Sequence, residues 1–187
     1  LLPLAGLVRG VVGDSLGADP VAALTHATGE WALRLLLLGL ALTPLRRLSG
    51  QAWPIRFRRL VGLYAFFYAC LHLATYVWLD QFFDWPGIVA DIVKRPFVTL
   101  GFAAFVLMLP LAITSTNGMI RRLGGRSWQR LHRAVYAVGV LGVAHYWWLV
   151  KKDLTEPIAY AFVLATLFAL RLWHGRRMRR TLEAQAA

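Results

Sequence analysis

Cysteine is almost missing from this chain: Cys70 stands alone among 187 residues. A single cysteine excludes a disulfide framework within the chain, and inside an apolar run Cys70 reads as a small buried hydrophobe. Acidic residues are also few, nine against twenty-one Lys and Arg. No Gly-x-Gly-x-x-Gly follows a strand pattern and there is no room for a nucleotide domain. No nucleophile–base constellation is visible, and no carboxylate or thiolate accompanies the histidines at metal-ligand spacing of the His-Glu-x-x-His kind. Linkers, internal repeats and low-complexity stretches are absent too, so residues 1–187 read as one domain.

Apolar residue is what the chain has in excess, 58% of the total. It comes in runs near the roughly 20 residues that cross a hydrocarbon core of about 30 Å. Five complete spans are expected, over Ala22–Thr43, Leu60–Leu79, Phe97–Thr116, Ala134–Val150 and Pro157–Trp173. All should be helices, because lipid leaves a lone strand's backbone groups unsatisfied and nothing alternates like a barrel. The chain opens on Leu1 rather than methionine. Leu1–Val12 reads as the surviving end of a first helix, without the small-residue cleavage site of a signal peptide. The expected fold is therefore an all-α, six-helix transmembrane bundle with its first helix truncated.

The basic residues sit in the gaps between runs, a distribution that suits lipid headgroups and topology and argues against nucleic acid. Segments 44–59 and 117–133, with the tail beyond Trp173, hold fourteen Lys and Arg, whereas segments 13–24, 80–96 and 151–156 hold four. The two sets alternate along the chain, so the arginine-rich loops and the C-terminus are expected on the cytoplasmic side. Trp31, Trp78, Trp85, Trp147 and Trp148 would then lie near the outer interface.

Ionisable side chains inside lipid are expensive and point to function. His72 and His145 each fall roughly twelve residues beyond the cytoplasmic ends of helices that run the same way. They reach similar depth, as two axial ligands of one haem must. With no C-x-x-C-H, such a haem would be held non-covalently. His132 stands thirteen residues before His145, about 20 Å along a helix axis, and suits a second group near the cytoplasmic face. On an ideal helix the two would lie about 140° apart and share no face. His174 is at suitable depth to pair with His132, or faces headgroups; His26 reads as interfacial or as a propionate neighbour rather than a ligand. Arg34, with Glu30 four residues before it, is either salt-bridged or a partner for a haem propionate. Arg58 and Arg59 either mark topology or receive an anionic electron donor such as a flavin phosphate.

Trp128-Gln129-Arg130-Leu131-His132-Arg133, followed by His145-Tyr146, resembles the signature of ferric-reductase-like transmembrane domains. Gly17-Ala18-Asp19-Pro20-Val21, Thr43-Pro44-Leu45, Arg58-Arg59-Leu60-Val61-Gly62-Leu63, Leu71-His72-Leu73 and Thr114-Ser115-Thr116 are, in that order, similar to the MsrQ (YedZ) family. The resemblance covers nearly the whole chain, which departs from the wider domain in carrying one histidine, not two, on the His72 helix. It implies a bacterial inner-membrane electron-transfer subunit with one or two b haems, His72, His132 and His145 being the haem-associated histidines. Arg58 and Arg59 would be a flavin-contact pair, with FMN and quinone as further cofactors. Electrons would come from a cytoplasmic flavin reductase or the quinone pool. They would pass to a periplasmic molybdopterin methionine sulfoxide reductase, MsrP, where the catalysis itself is expected. The alternatives are a haem-free, histidine-lined metal or small-solute transporter and a transmembrane cytochrome b with another acceptor.

Overall fold

A computed structural model describes residues 2–186, and among them the regular structure is entirely helical. Nine α-helices follow one another among these residues: α1 (Leu2–Val12), α2 (Pro20–Ser49), α3 (Arg58–Ala74), α4 (Trp85–Lys94), α5 (Pro96–Ile113), α6 (Asn117–Leu123), α7 (Gly125–His132), α8 (Ala134–Leu149) and α9 (Thr155–Ala186). Every expected span is helical over nearly all its length. Three segments are long and apolar enough to cross a membrane by themselves, Trp53–Asp80, Pro96–Ile113 and Thr155–Arg177. α2 has the length, at 30 residues, but carries Glu30 and Arg34, which meet at 2.8 Å. α8 has only 16 residues, about 24 Å at 1.5 Å per residue.

Local chemistry sets the boundaries. Asp19 caps α2, its carboxylate accepting from the Ala22 N–H at 2.9 Å, and Pro20 takes the first helical position, where no N–H is needed. Gly50 ends the helix in the left-handed conformation at φ 68°. α2 therefore does not stop at Thr43 as the sequence suggests; it runs through Pro44 for five more residues, to Ser49. A proline inside a helix strips the carbonyl four residues back of its donor. Here that carbonyl, at Leu40, accepts from the Arg171 guanidinium of α9 at 2.5 Å. The helix continues because another helix replaces the missing bond.

α3 also departs from the simple reading. Past Ala74 it widens into a π-turn over Thr75–Asp80, with Thr75 Oγ1 donating to the His72 carbonyl at 2.8 Å. The segment between the third and fourth expected spans, read as a loop, folds into α6 and α7. The Thr116 hydroxyl caps α6, accepting from the Met119 N–H at 3.1 Å, and Gly124 at φ 76° separates α6 from α7. α7 and α8 are distinct elements, divided at Arg133. His132 and His145 thus do not share one unbroken helix.

α2 is the central staff. Its Leu33, Leu36, Leu37 and Leu40 bury against Ala65 of α3, Ala104 and Met108 of α5, Val138 and Val143 of α8, and Leu164 and Leu167 of α9. α2 packs most closely on α3, and α5 on α8. Large apolar side chains such as Leu38, Phe67, Val106 and Phe162 stay exposed on the outside of the bundle. That inside-out distribution suits lipid as solvent, where packing rather than apolar burial joins the helices.

Candidate functional site

His72 lies in the last turn of α3 and His145 near the end of α8, two helices that pack mainly on α2 and α5 and hardly on each other. Across that gap the imidazoles face one another, centroids 6.1 Å apart and planes at 73°. His72 Nδ1 donates to the Thr25 carbonyl of α2 at 2.9 Å, and His145 Nδ1 to the Phe97 carbonyl of α5 at 2.6 Å. A carbonyl only accepts, so in both bonds the proton is on Nδ1 and each Nε2 keeps a free lone pair.

This is the form in which imidazole binds a metal, its other nitrogen fixed by a backbone oxygen. A metal–imidazole bond of about 2 Å on each side would place two ring centroids roughly 6 Å apart across one ion. The observed separation fits that span. Among the described residues no group of three or more His, Cys, Asp or Glu side chains gathers as a metal site. A haem-free metal centre needs such a group, whereas haem brings four equatorial nitrogens of its own and asks the protein for two axial ones.

Toward the other end of the bundle, between α2, α3, α5, α7 and α8, lies a cavity of about 460 Å³. Arg56, Arg58, Arg59, Trp128 and His132 reach its wall, and Leu40, Phe66 and Met108 line its apolar part. Arg59 donates to Asn117 Oδ1 at 2.6 Å, which ties the mouth of the cavity to the start of α6. His132 stacks on Trp128 with centroids 3.9 Å apart, and Trp128 Nε1 donates to the Thr114 carbonyl at 2.8 Å. The Thr114 hydroxyl gives its proton to the Pro110 carbonyl at 2.6 Å, so at 3.0 Å it accepts from His132 Nε2. Burial, and then the charge of Arg58, push the His132 imidazole below the usual histidine range. Its Nε2 is committed to Thr114.

The remaining expected residues are placed elsewhere. His174 Nδ1 faces the Leu170 carbonyl of its own helix at 2.8 Å and its ring lies against Trp173, so no second imidazole is brought to His132. Arg34 donates to Glu30 at 2.8 Å and to the Tyr160 hydroxyl at 2.9 Å, fastening α2 to α9. His26 is exposed, one residue beyond the Thr25 whose carbonyl holds His72. Arg171, inside the expected span Pro157–Trp173, bonds the Leu40 carbonyl and the Tyr136 hydroxyl, and an arginine inside a span is itself a signal in the sequence. Trp128 and Thr114, which hold His132, lie within the family-like motifs 128–133 and 114–116.

Residues 28–143 match the family described as "Ferric reductase like transmembrane component". A protein of Xanthomonas campestris pv. campestris (strain 8004) is 57% identical over 174 residues, 93% of this chain and 79% of that protein. One from Rhodospirillum rubrum is 55% identical over 181 residues, covering 97% of this chain and 87% of the relative. A third, from Herminiimonas arsenicoxydans, is 53% identical over 175 residues, or 92% and 80% of the two chains. Each is named "Protein-methionine-sulfoxide reductase heme-binding subunit MsrQ". The chain belongs to the MsrQ family. It is accordingly an all-α membrane protein of the ferric-reductase-like type. The matched region runs from α2 into α8, taking in His72, the cavity and His132 and ending two residues before His145. No solved structure matches the chain.

Proposed function

We propose that this MsrQ-family chain is the haem-binding, electron-transferring subunit of a protein-methionine-sulfoxide reductase system in a bacterial inner membrane. The observation that carries the reading is the pair of facing imidazoles, both with Nδ1 held by a backbone carbonyl and Nε2 free. His72 and His145 would hold the iron of a b haem through Nε2, and haem bound there supplies a one-electron couple. The Thr25 and Phe97 carbonyls fix the tautomer and raise the basicity of both imidazoles. The name shared by the relatives supports haem and a catalytic partner; the partner proposed is a periplasmic molybdopterin enzyme, MsrP.

Electron entry is proposed at the cavity opposite. Arg56, Arg58 and Arg59 offer cations, Trp128 a planar face and the leucine and methionine walls a dry interior. That combination suits a planar anionic donor, a flavin such as FMN presented by a cytoplasmic flavin reductase, better than an uncharged quinone. His132 would border this site. The geometry favours one haem between His72 and His145, since His132 meets no second imidazole.

Protein purified in mild detergent should show a b-type reduced-minus-oxidised spectrum, with a pyridine haemochrome assay giving haem per chain. His72→Ala and His145→Ala should each abolish that absorbance. Folded protein that stays colourless when supplied with haem would overturn the reading.

A further inference from the structure

The two imidazoles are seated in the same way twice over. His72 bonds the Thr25 carbonyl, and four residues on, one turn along α2, stands Gly29. His145 bonds the Phe97 carbonyl, and four residues on along α5 stands Gly101. A Cβ at Gly29 would meet His72 Nδ1 at 3.0 Å and Cε1 at 3.1 Å. At Gly101 it would meet His145 Nδ1 at 2.8 Å and Cε1 at 2.9 Å. Each ring therefore rests its Nδ1–Cε1 edge on a bare stretch of a neighbouring helix, which only glycine leaves open.

We propose that Gly29 and Gly101 are positioning residues that set the orientation of His72 and His145 toward the iron. The proposal rests on the reading of these histidines as the axial pair. An imidazole is rigid and its Nε2 is bonded directly to Cε1, so the Nδ1–Cε1 edge cannot be displaced without moving Nε2 with it. A methyl group at either glycine must rotate or lift the ring, lengthening the Nδ1–H···O bond and turning the Nε2 lone pair off its axis. Both losses act on one ligand, and each glycine acts on a different one. Because its contacts are the shorter, Gly101 is the stricter seat. Gly142 provides the contrast: it lies three residues before His145, and the nearest atom a Cβ there would touch is Leu33 Cδ1, at 3.5 Å, an ordinary contact.

The test compares Gly29→Ala, Gly101→Ala and Gly142→Ala by haem per chain, by low-spin electron paramagnetic resonance of the oxidised protein and by midpoint potential. Circular dichroism and gel filtration report folding. Gly101→Ala should weaken haem binding by roughly 10-fold or more, the cost typical of a lost outer-shell partner. Gly29→Ala should shift the resonance and the potential with a smaller loss of haem, and Gly142→Ala should match the unaltered protein. Folded Gly29→Ala and Gly101→Ala proteins with unchanged haem content, resonance and potential would overturn the proposal. If Gly101→Ala does not fold, the Gly29→Ala spectrum decides. Absence of haem from the unaltered protein would instead sink the axial-pair reading.

Discussion

Arg171 shows how much a single side chain can owe to its surroundings in a membrane helix. Its guanidinium bonds the Tyr136 hydroxyl at 2.6 Å and the Leu40 carbonyl at 2.5 Å, and lies 4.9 Å from the centre of the Tyr136 ring. A charge there is tolerable because oxygen lone pairs and an aromatic face surround it. The Leu40 carbonyl needs the arginine only because Pro44 has no N–H to give. Arg171→Leu should therefore lower stability by about 2 kcal/mol, the scale for losing hydrogen bonds to a charged group. In a Pro44→Ala background the cost should shrink, since alanine at that position restores the helical donor. Thermal denaturation of the four proteins in detergent gives the coupling, and full additivity would refute the pairing. Neither half of this pair suggests the other in sequence, because Pro44 and Arg171 lie 127 positions apart.

At the scale of elements, the helices were legible and their interruptions were not. Apolar runs announce spans because lipid imposes one length and one chemistry on all of them. The π-turn after His72, the division at Arg133 and the passage through Pro44 depend on contacts between helices, which periodicity does not carry. The glycine between α6 and α7 is an exception that a variant can check. Gly124 sits at φ 76° and ψ 145°, a region that side chains other than glycine's enter at a cost of about 1–3 kcal/mol. Gly50, at φ 68° and ψ −3°, is in the ordinary left-handed well, where alanine costs about 1 kcal/mol. Gly124→Ala should thus lower the melting temperature more than Gly50→Ala, and should also disturb Trp128 fluorescence, because Trp128 N–H bonds the Gly124 carbonyl at 3.0 Å.

Over the whole molecule, charge and depth divide the work between two faces. The facing histidines sit toward the acidic, tryptophan-bearing end, and the arginine-lined cavity lies at the other. Depth counting pairs His72 with His145 because a helix advances evenly along its axis. It offers His174 to His132 by the same logic and says nothing of the bonds each ring makes, His174 to the Leu170 carbonyl and His132 to Thr114. Two outcomes follow at this scale. Cysteine introduced as Arg122→Cys should react with an impermeant maleimide only from the cytoplasmic side, and Asp84→Cys only from the periplasmic side; the reverse pattern would invert the electron path. Arg58→Ala/Arg59→Ala should slow reduction by a flavin donor in stopped-flow measurements, by about 10-fold or more for two lost charge-assisted contacts. Haem content should stay as it was. An unchanged rate would leave those arginines with topology alone.

The bond from Arg171 to Leu40 also has a meaning in time. α2 leaves the ribosome long before α9, so its Leu40 carbonyl enters the membrane without the partner it finally has. The bonding of α2 is completed only when α9 has been made and docked against it. Packing of the core therefore waits on α9, and a nascent chain stopped short of Arg171 would leave the Leu40 carbonyl without that donor.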